Sequence, residues 1–175
     1  MRKTITVFGS SRPTEGEEEY KTAYELGFKL AGNNFNVCTG GYLGTMEAVS
    51  KGAAEAGGEA TGVTIKSWGK AGNRFLTHEI ECNSLCERLN KLIELGDAYI
   101  VLQGGTGTLL ELAAVWEFSN RGMIDHKPVV CHSLMWKEIV RVINKQMEYE
   151  GRSTNLVKSL ETVEEIVNYL KTSLK

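Results

Sequence analysis

A chain of 175 residues is long enough for one compact domain, built on a sheet of five to seven strands and its covering helices, and needs no second one. Its 20 Lys and Arg against 22 Asp and Glu leave a net charge of −2, which excludes a general pull toward nucleic acid or anionic membrane, so any phosphate contact has to be local. No stretch approaches the ~18 consecutive apolar residues of a membrane span and Ile5-Thr6-Val7-Phe8 is too short for a signal segment, so no membrane partner and a cytoplasmic location are expected.

In chain order, a first strand over Thr4 to Phe8 ends in the turn Gly9-Ser10-Ser11. A helix over Glu17 to Ala31 follows, and its Glu17-Glu18-Glu19 start reads as a solvated first turn favoured by the helix dipole. The strand Phe35 to Thr39 runs through Gly40-Gly41 and Gly44-Thr45 into a helix over Thr45 to Ala56. After the strand Ala60 to Ile65, the irregular segment Lys66 to His78 reads as a mobile loop placed to shape a pocket. A strand over Glu79 to Cys82 precedes a helix over Leu85 to Leu95, opened by the capping box Ser84-Leu85-Cys86-Glu87. Its buried stripe is Leu85, Leu89, Leu92 and Ile93, with Arg88 at the edge and able to lean over the end of the sheet.

The strand Ala98 to Leu102 then reaches Gly104-Gly105-Thr106-Gly107-Thr108 and a helix over Leu109 to Ser119. A strand over Pro128 to Cys131 is followed by two helices whose stripes are Trp136, Ile139, Val140, Ile143 and Met147, then Val163, Ile166, Val167, Leu170 and Leu174. Apolar runs alternating with helical periods predict an α/β domain with a mostly parallel sheet of six to seven strands covered on both faces, spanning 1–175. Cys38, Cys82, Cys86 and Cys131 form no C-x-x-C pair and read as reduced core thiols.

In such a sheet, ligands bind beyond the carboxyl ends of the strands, where three turns fall: Gly9-Ser10-Ser11, Gly40-Gly41 with Gly44, and Gly104 to Thr108. Glycine lets a backbone approach a phosphate, and the N–H groups of the next helix favour an anion, although tight strand-to-helix packing also uses such turns. Gly44 is followed by Thr45-Met46 and Gly107 by Thr108-Leu109, so neither turn has the Gly-Lys-Ser/Thr of a P-loop. Leu110 stands where a dinucleotide fingerprint needs its third glycine. His78, His126 and His132 have no metal-ligand spacing, no G-x-S-x-G elbow is present, and no lysine neighbours the last turn to hold pyridoxal phosphate. No metal and no cofactor are therefore expected.

Glu111 lies in a helix that is apolar nearly all round, where a carboxylate is costly unless paired. Thr108-Leu109-Leu110-Glu111 also fits a capping box, so spacing alone leaves capping and catalysis both open. Arg88 offers a partner, since its guanidinium suits phosphate or carboxylate, although a surface salt bridge is the commoner fate of a helical arginine.

Gln103-Gly104-Gly105-Thr106-Gly107-Thr108-Leu109-Leu110-Glu111 resembles the P-G-G-x-G-T-x-x-E signature of the LOG family, the cytokinin-activating nucleoside 5′-monophosphate phosphoribohydrolases. Val7-Phe8-Gly9-Ser10-Ser11 and Gly40-Gly41-Tyr42-Leu43-Gly44-Thr45-Met46 resemble the family's first and second turns. Glu87-Arg88 with Asp97-Ala98, and Asp125-His126-Lys127-Pro128-Val129, extend the likeness over most of the chain. The resemblance implies a doubly wound, three-layer Rossmann-like domain that forms a homodimer or higher homo-oligomer. It implies a catalytic pair, Arg88 and Glu111, with Gly104, Gly105, Thr106, Gly107 and Thr108 on the phosphate, and with Gly9, Ser10, Ser11, Gly40, Gly41 and Gly44 around the nucleotide. Gln103 replaces the signature proline, Leu89 stands where the strict enzymes have lysine, and Leu110 replaces a frequent acidic residue.

The expected activity is hydrolysis of the N-glycosidic bond of a purine nucleoside monophosphate, with Arg88 fixing the substrate and keeping Glu111 ionised. The rival is a binding protein for a phosphate-bearing ligand, similar to the molybdenum cofactor carriers. A nucleic-acid module would need the basic surface that this composition lacks.

Overall fold

The computed structural model describes residues 2–125 and 127–174, so His126 of the fifth resembling segment lies outside the described residues. Among the described residues, seven strands form one parallel sheet in the order β4-β3-β2-β1-β5-β6-β7. These are β1 (Lys3–Phe8), β2 (Phe35–Thr39), β3 (Ala60–Ile65), β4 (His78–Cys82), β5 (Ala98–Val101), β6 (Val129–Cys131) and β7 (Val157–Ser159). Six α-helices cover them: α1 (Glu18–Gly32), α2 (Thr45–Glu55), α3 (Leu85–Leu95), α4 (Thr106–Asn120), α5 (Leu134–Tyr149) and α6 (Val163–Ser173). None is long and apolar enough to cross a membrane.

Adjacent strand residues point to opposite faces, and both faces are covered, so the central strands are buried on both sides, with Thr6 and Thr39 among their buried residues. Ile5 and Val7 of β1 and Ile100 of β5 pack with Leu26, Leu30, Ile166 and Leu170 on the α1–α2–α6 side. Phe8, Tyr99 and Val101, one position along, pack with Leu92, Leu112 and Trp136 on the α3–α4–α5 side. Glycine brings α1 and α2 unusually close: a Cβ on Gly27 would lie 2.2 Å from the Val49 carbonyl oxygen. Strand order reverses between β1 and β5, which pair Phe8 with Val101, and the crevice at that switch point opens between the turns that follow them.

Several sequence expectations shift. β7 had no apolar run to announce it, since only Val157 of its three residues is buried. The stripe of α3 is buried only in its second half: Leu85 is exposed, and Arg88 takes the inward position near the end of the sheet. Ile143 is likewise exposed on α5, and Cys86 is exposed while the other three thiols are buried. The segment after β3 is a loop, as expected, with one 3-10 turn at Lys66–Trp68 and an anchor at Asn73. The buried Asn73 donates from its backbone N–H to the Gly41 carbonyl at 2.7 Å and from Nδ2 to the Tyr42 carbonyl at 3.0 Å.

Candidate functional site

A cavity of about 740 Å³ opens at the carboxyl end of the sheet. It is lined by Gly9, Ser10 and Ser11 after β1, by Gly105 to Thr108 at the start of α4, by Tyr42, by Trp68 and Lys70 after β3, and by Arg88 and Glu111.

Arg88 is fixed from two sides. The Thr6 hydroxyl donates to the Leu92 carbonyl at 3.0 Å and the Tyr99 hydroxyl to that of Ile93 at 2.7 Å, pinning α3 against β1 and β5. The Ser84 hydroxyl accepts from the Glu87 N–H at 3.1 Å and closes the first turn, while the Glu87 carboxylate accepts from the Asn83 N–H at 2.8 Å. The Arg88 side chain, 8% exposed, then donates from Nε to the Val63 carbonyl at 2.7 Å and from Nη2 to that of Gly40 at 3.2 Å. Val63 lies within β3 and Gly40 just beyond the end of the neighbouring β2, and their carbonyls hold the guanidinium in place without neutralising it. This is a buried cation, not a surface salt bridge.

Glu111 meets Arg88 at 3.4 Å, Oε1 to Nη1, with its own side chain only 12% exposed. The capping role left open by the sequence is not taken: α4 begins at Thr106 after Gly105, three residues before the expected Leu109, so Thr108 lies inside the helix and Glu111 is one turn further in. Burial pushes the Glu111 carboxyl up to about 7, and the nearby Arg88 charge and hydrogen bond only partly pull it back. Arg88 thus favours the ionised form of Glu111, as expected, but less than burial opposes it, because a single contact at 3.4 Å does not replace the lost hydration.

The turns contribute unequally. Gly105 and Gly107 have no atom within 4 Å of where a Cβ would stand, so their backbone borders open space at the N-terminus of α4. Gly9 and Gly104 are packing glycines, since a Cβ there would come within 2.3 Å and 2.2 Å of the Thr45 and Thr108 hydroxyls. Gly40, Gly41 and Gly44 do not line the cavity. A Cβ on Gly40 would lie 1.8 Å from Arg88 Nη2, and one on Gly44, at φ +71°, would lie 2.3 Å from the Ser10 carbonyl oxygen. That carbonyl accepts the Thr45 N–H at 2.9 Å, which joins the first turn to α2. Ser10 also accepts the Arg12 N–H on its hydroxyl at 3.1 Å, and Ser11 lines the cavity beside it.

The loop Lys66 to His78 shapes the pocket as expected, but sequence reasoning did not single out its Trp68 and Lys70, nor Arg12, which follows the turn after β1 and also lines the cavity. Lys70 is thus a lysine in the same cavity as the last turn, distant from it in sequence. None of the three departures from the family signature lines the cavity: Gln103 is exposed, Leu89 packs partly buried against the core, and Leu110 lies on the outer face of α4.

The family model described as SLOG cluster4 matches residues 2–167. A cytokinin riboside 5′-monophosphate phosphoribohydrolase from Mycobacterium tuberculosis is 33% identical over 130 residues, 73% of this chain and 68% of that protein. One from Rhodococcoides fascians is 31% identical over 132 residues, 73% of this chain and 66% of that protein. The molybdenum cofactor binding protein from Rippkaea orientalis superposes with a TM-score of 0.82 over 100% of this chain and 99% of that one, at 23% identity, a likeness of fold alone.

Proposed function

This chain belongs to the SLOG cluster4 family, the LOG family, and from that premise we propose that it hydrolyses the N-glycosidic bond of a purine nucleoside 5′-monophosphate. The observation that carries the reading is the buried Arg88–Glu111 pair, which shares a cavity with the bare N-terminus of α4. The N–H groups of Gly105 to Thr108 and the dipole of α4 hold the phosphate, and Ser10 and Ser11 donate hydrogen bonds from the neighbouring turn. As the bond from ribose C1′ to the base nitrogen breaks, positive charge develops on the sugar, and the Glu111 carboxylate stabilises it. Glu111 orients water toward C1′ and takes a proton from it, while the departing base accepts a proton from solvent. The products are free base and ribose 5-phosphate. Arg88 favours the ionised form of Glu111 and uses its remaining N–H groups on the substrate.

A cytoplasmic homodimer completes the proposal. Leu109 and Leu110, each 42% exposed, and Ala113 leave an apolar outer face on α4, and a second copy would cover it.

Incubation of the purified protein with AMP should release adenine and ribose 5-phosphate, and Glu111→Gln should lower kcat by about 10²- to 10⁴-fold with the fold retained, as expected for loss of a catalytic carboxylate. Saturable AMP binding with no adenine released, unchanged by Glu111→Gln, would replace the hydrolase with a carrier.

A further inference from the structure

Trp68 is the cavity residue that neither the phosphate nor the Arg88–Glu111 pair explains. It is 49% exposed, whereas Trp116 and Trp136 are buried. An indole left half in water forgoes burial that a core position would supply, and Trp68 contributes no buried surface to either core cluster. It is nevertheless held in place. Its ring stacks on Tyr42 with centroids 5.5 Å apart and planes 29° from parallel. Tyr42 is itself fixed, because its buried hydroxyl accepts the Ile65 N–H at 2.7 Å. Arg88 lies 5.7 Å from the Tyr42 ring and 5.8 Å from the Trp68 ring, so a buried cation braces both aromatic rings. Beyond Trp68 the chain is anchored by Asn73. The cavity therefore offers two kinds of surface: bare amides at Gly105 and Gly107, which suit an anion, and a braced aromatic shelf at Trp68, which suits a flat ring.

We propose that Trp68 is the specificity-determining residue for the ring of the ligand, stacking its indole on the purine while α4 holds the phosphate. This rests on the nucleotide reading above and adds the means by which the base is chosen. Stacking between an aromatic side chain and a base tolerates differences in edge chemistry and depends on the overlap of flat faces. Trp68 accordingly favours large planar bases over small ones.

Trp68 is the exposed tryptophan among three, so the emission lost in Trp68→Ala isolates its signal. Titrating AMP into the wild-type protein should quench this emission saturably, and Trp68→Ala should abolish the quench. The KM for AMP should rise about tenfold in Trp68→Ala, with kcat within about twofold of wild type. Ribose 5-phosphate, which has no base, should inhibit wild type and Trp68→Ala equally, and Trp68→Phe should restore most of the affinity for AMP. The inference is overturned if AMP fails to bind, if it binds without altering emission, or if Trp68→Ala weakens ribose 5-phosphate as much as AMP. AMP that quenches emission but is not split would overturn the hydrolase and leave the stacking in place. AMP that is split with an unchanged KM in Trp68→Ala would overturn the stacking alone.

Discussion

Gly40-Gly41-Tyr42-Leu43-Gly44-Thr45 and Gly104-Gly105-Thr106-Gly107-Thr108 both carry the chain from a buried strand into a helix, and in sequence they look like one solution used twice. In space their glycines serve different ends. In the first turn, Gly41 and Gly44 take positive φ angles of 79° and 71°, and a Cβ at Gly40 or Gly44 would strike Arg88 or Ser10. In the second turn no glycine has positive φ, and Gly105 and Gly107 face empty space. The first turn is a mount that seats the guanidinium against the Gly40 carbonyl, and the second leaves backbone amides bare for a ligand. A Gly-Gly motif is therefore not by itself a phosphate loop. What separates the two cases is whether the space a Cβ would fill is already taken.

Substituting one glycine in each turn breaks this comparison if it is wrong. Gly40→Ala has the largest expected effect: its methyl group would displace Arg88 Nη2, which loses its carbonyl and shifts away from Glu111. Stability should fall by about 2 kcal/mol, the scale of overpacking a buried site, and AMP hydrolysis should fall at least about tenfold. Chemical denaturation and initial rates would show both losses together. Gly107→Ala should separate them. The position lies in α4 with no steric obstacle, so the folded protein should gain about 0.5 kcal/mol from reduced chain entropy. Affinity for ribose 5-phosphate should nevertheless drop about tenfold as the methyl group enters the space of the phosphate, a loss of about 1.4 kcal/mol. A Gly107→Ala protein that binds ribose 5-phosphate normally would move the anion site away from α4.

The difference between the turns also marks how far the sequence could be read. β1, β2 and β3 are legible as apolar runs between turns, and β1 and β2 end where expected, at Phe8 and Thr39, just before Gly9 and Gly40. β7 was not, because a three-residue edge strand with one buried side chain carries no period. The start of α4 was misplaced for a physical reason: the apolar residues begin at Leu109, but Gly105 serves as the N-cap without a side chain to announce it. That shift of three residues removes Thr108 from the capping position and frees Glu111 to face Arg88. The Arg88–Glu111 contact joins residues 23 apart on different helices, a separation with no local period, so the helix faces could offer Arg88 as a partner and the family resemblance singled out the pair. Trp68 had no sequence signal beyond being an aromatic residue in an irregular polar stretch.

The smallest expected effect concerns the bridge between the turns, since Arg88 is seated by the first and Glu111 is carried by the helix of the second. Burial raises the Glu111 carboxyl from 4.5 to about 7, so the folded protein holds this proton more tightly than the unfolded chain. Below about pH 4.5 both states carry the proton and Glu111 adds no pH dependence. Between that value and about 7, unfolding releases the proton, so the contribution of Glu111 to stability falls as pH rises and then levels off. Glu111→Gln removes the titration and leaves the other groups in place. The stability of wild type minus that of Glu111→Gln, measured by denaturant titration, should therefore decline by about 1 kcal/mol per pH unit between pH 5 and 7, near the limit set by one proton. A difference that rises with pH would mean that Arg88 outweighs burial. Glu111 would then stand as a carboxylate throughout the neutral range, and kcat/KM for AMP would lose the rise through about pH 7 that a titrating base requires.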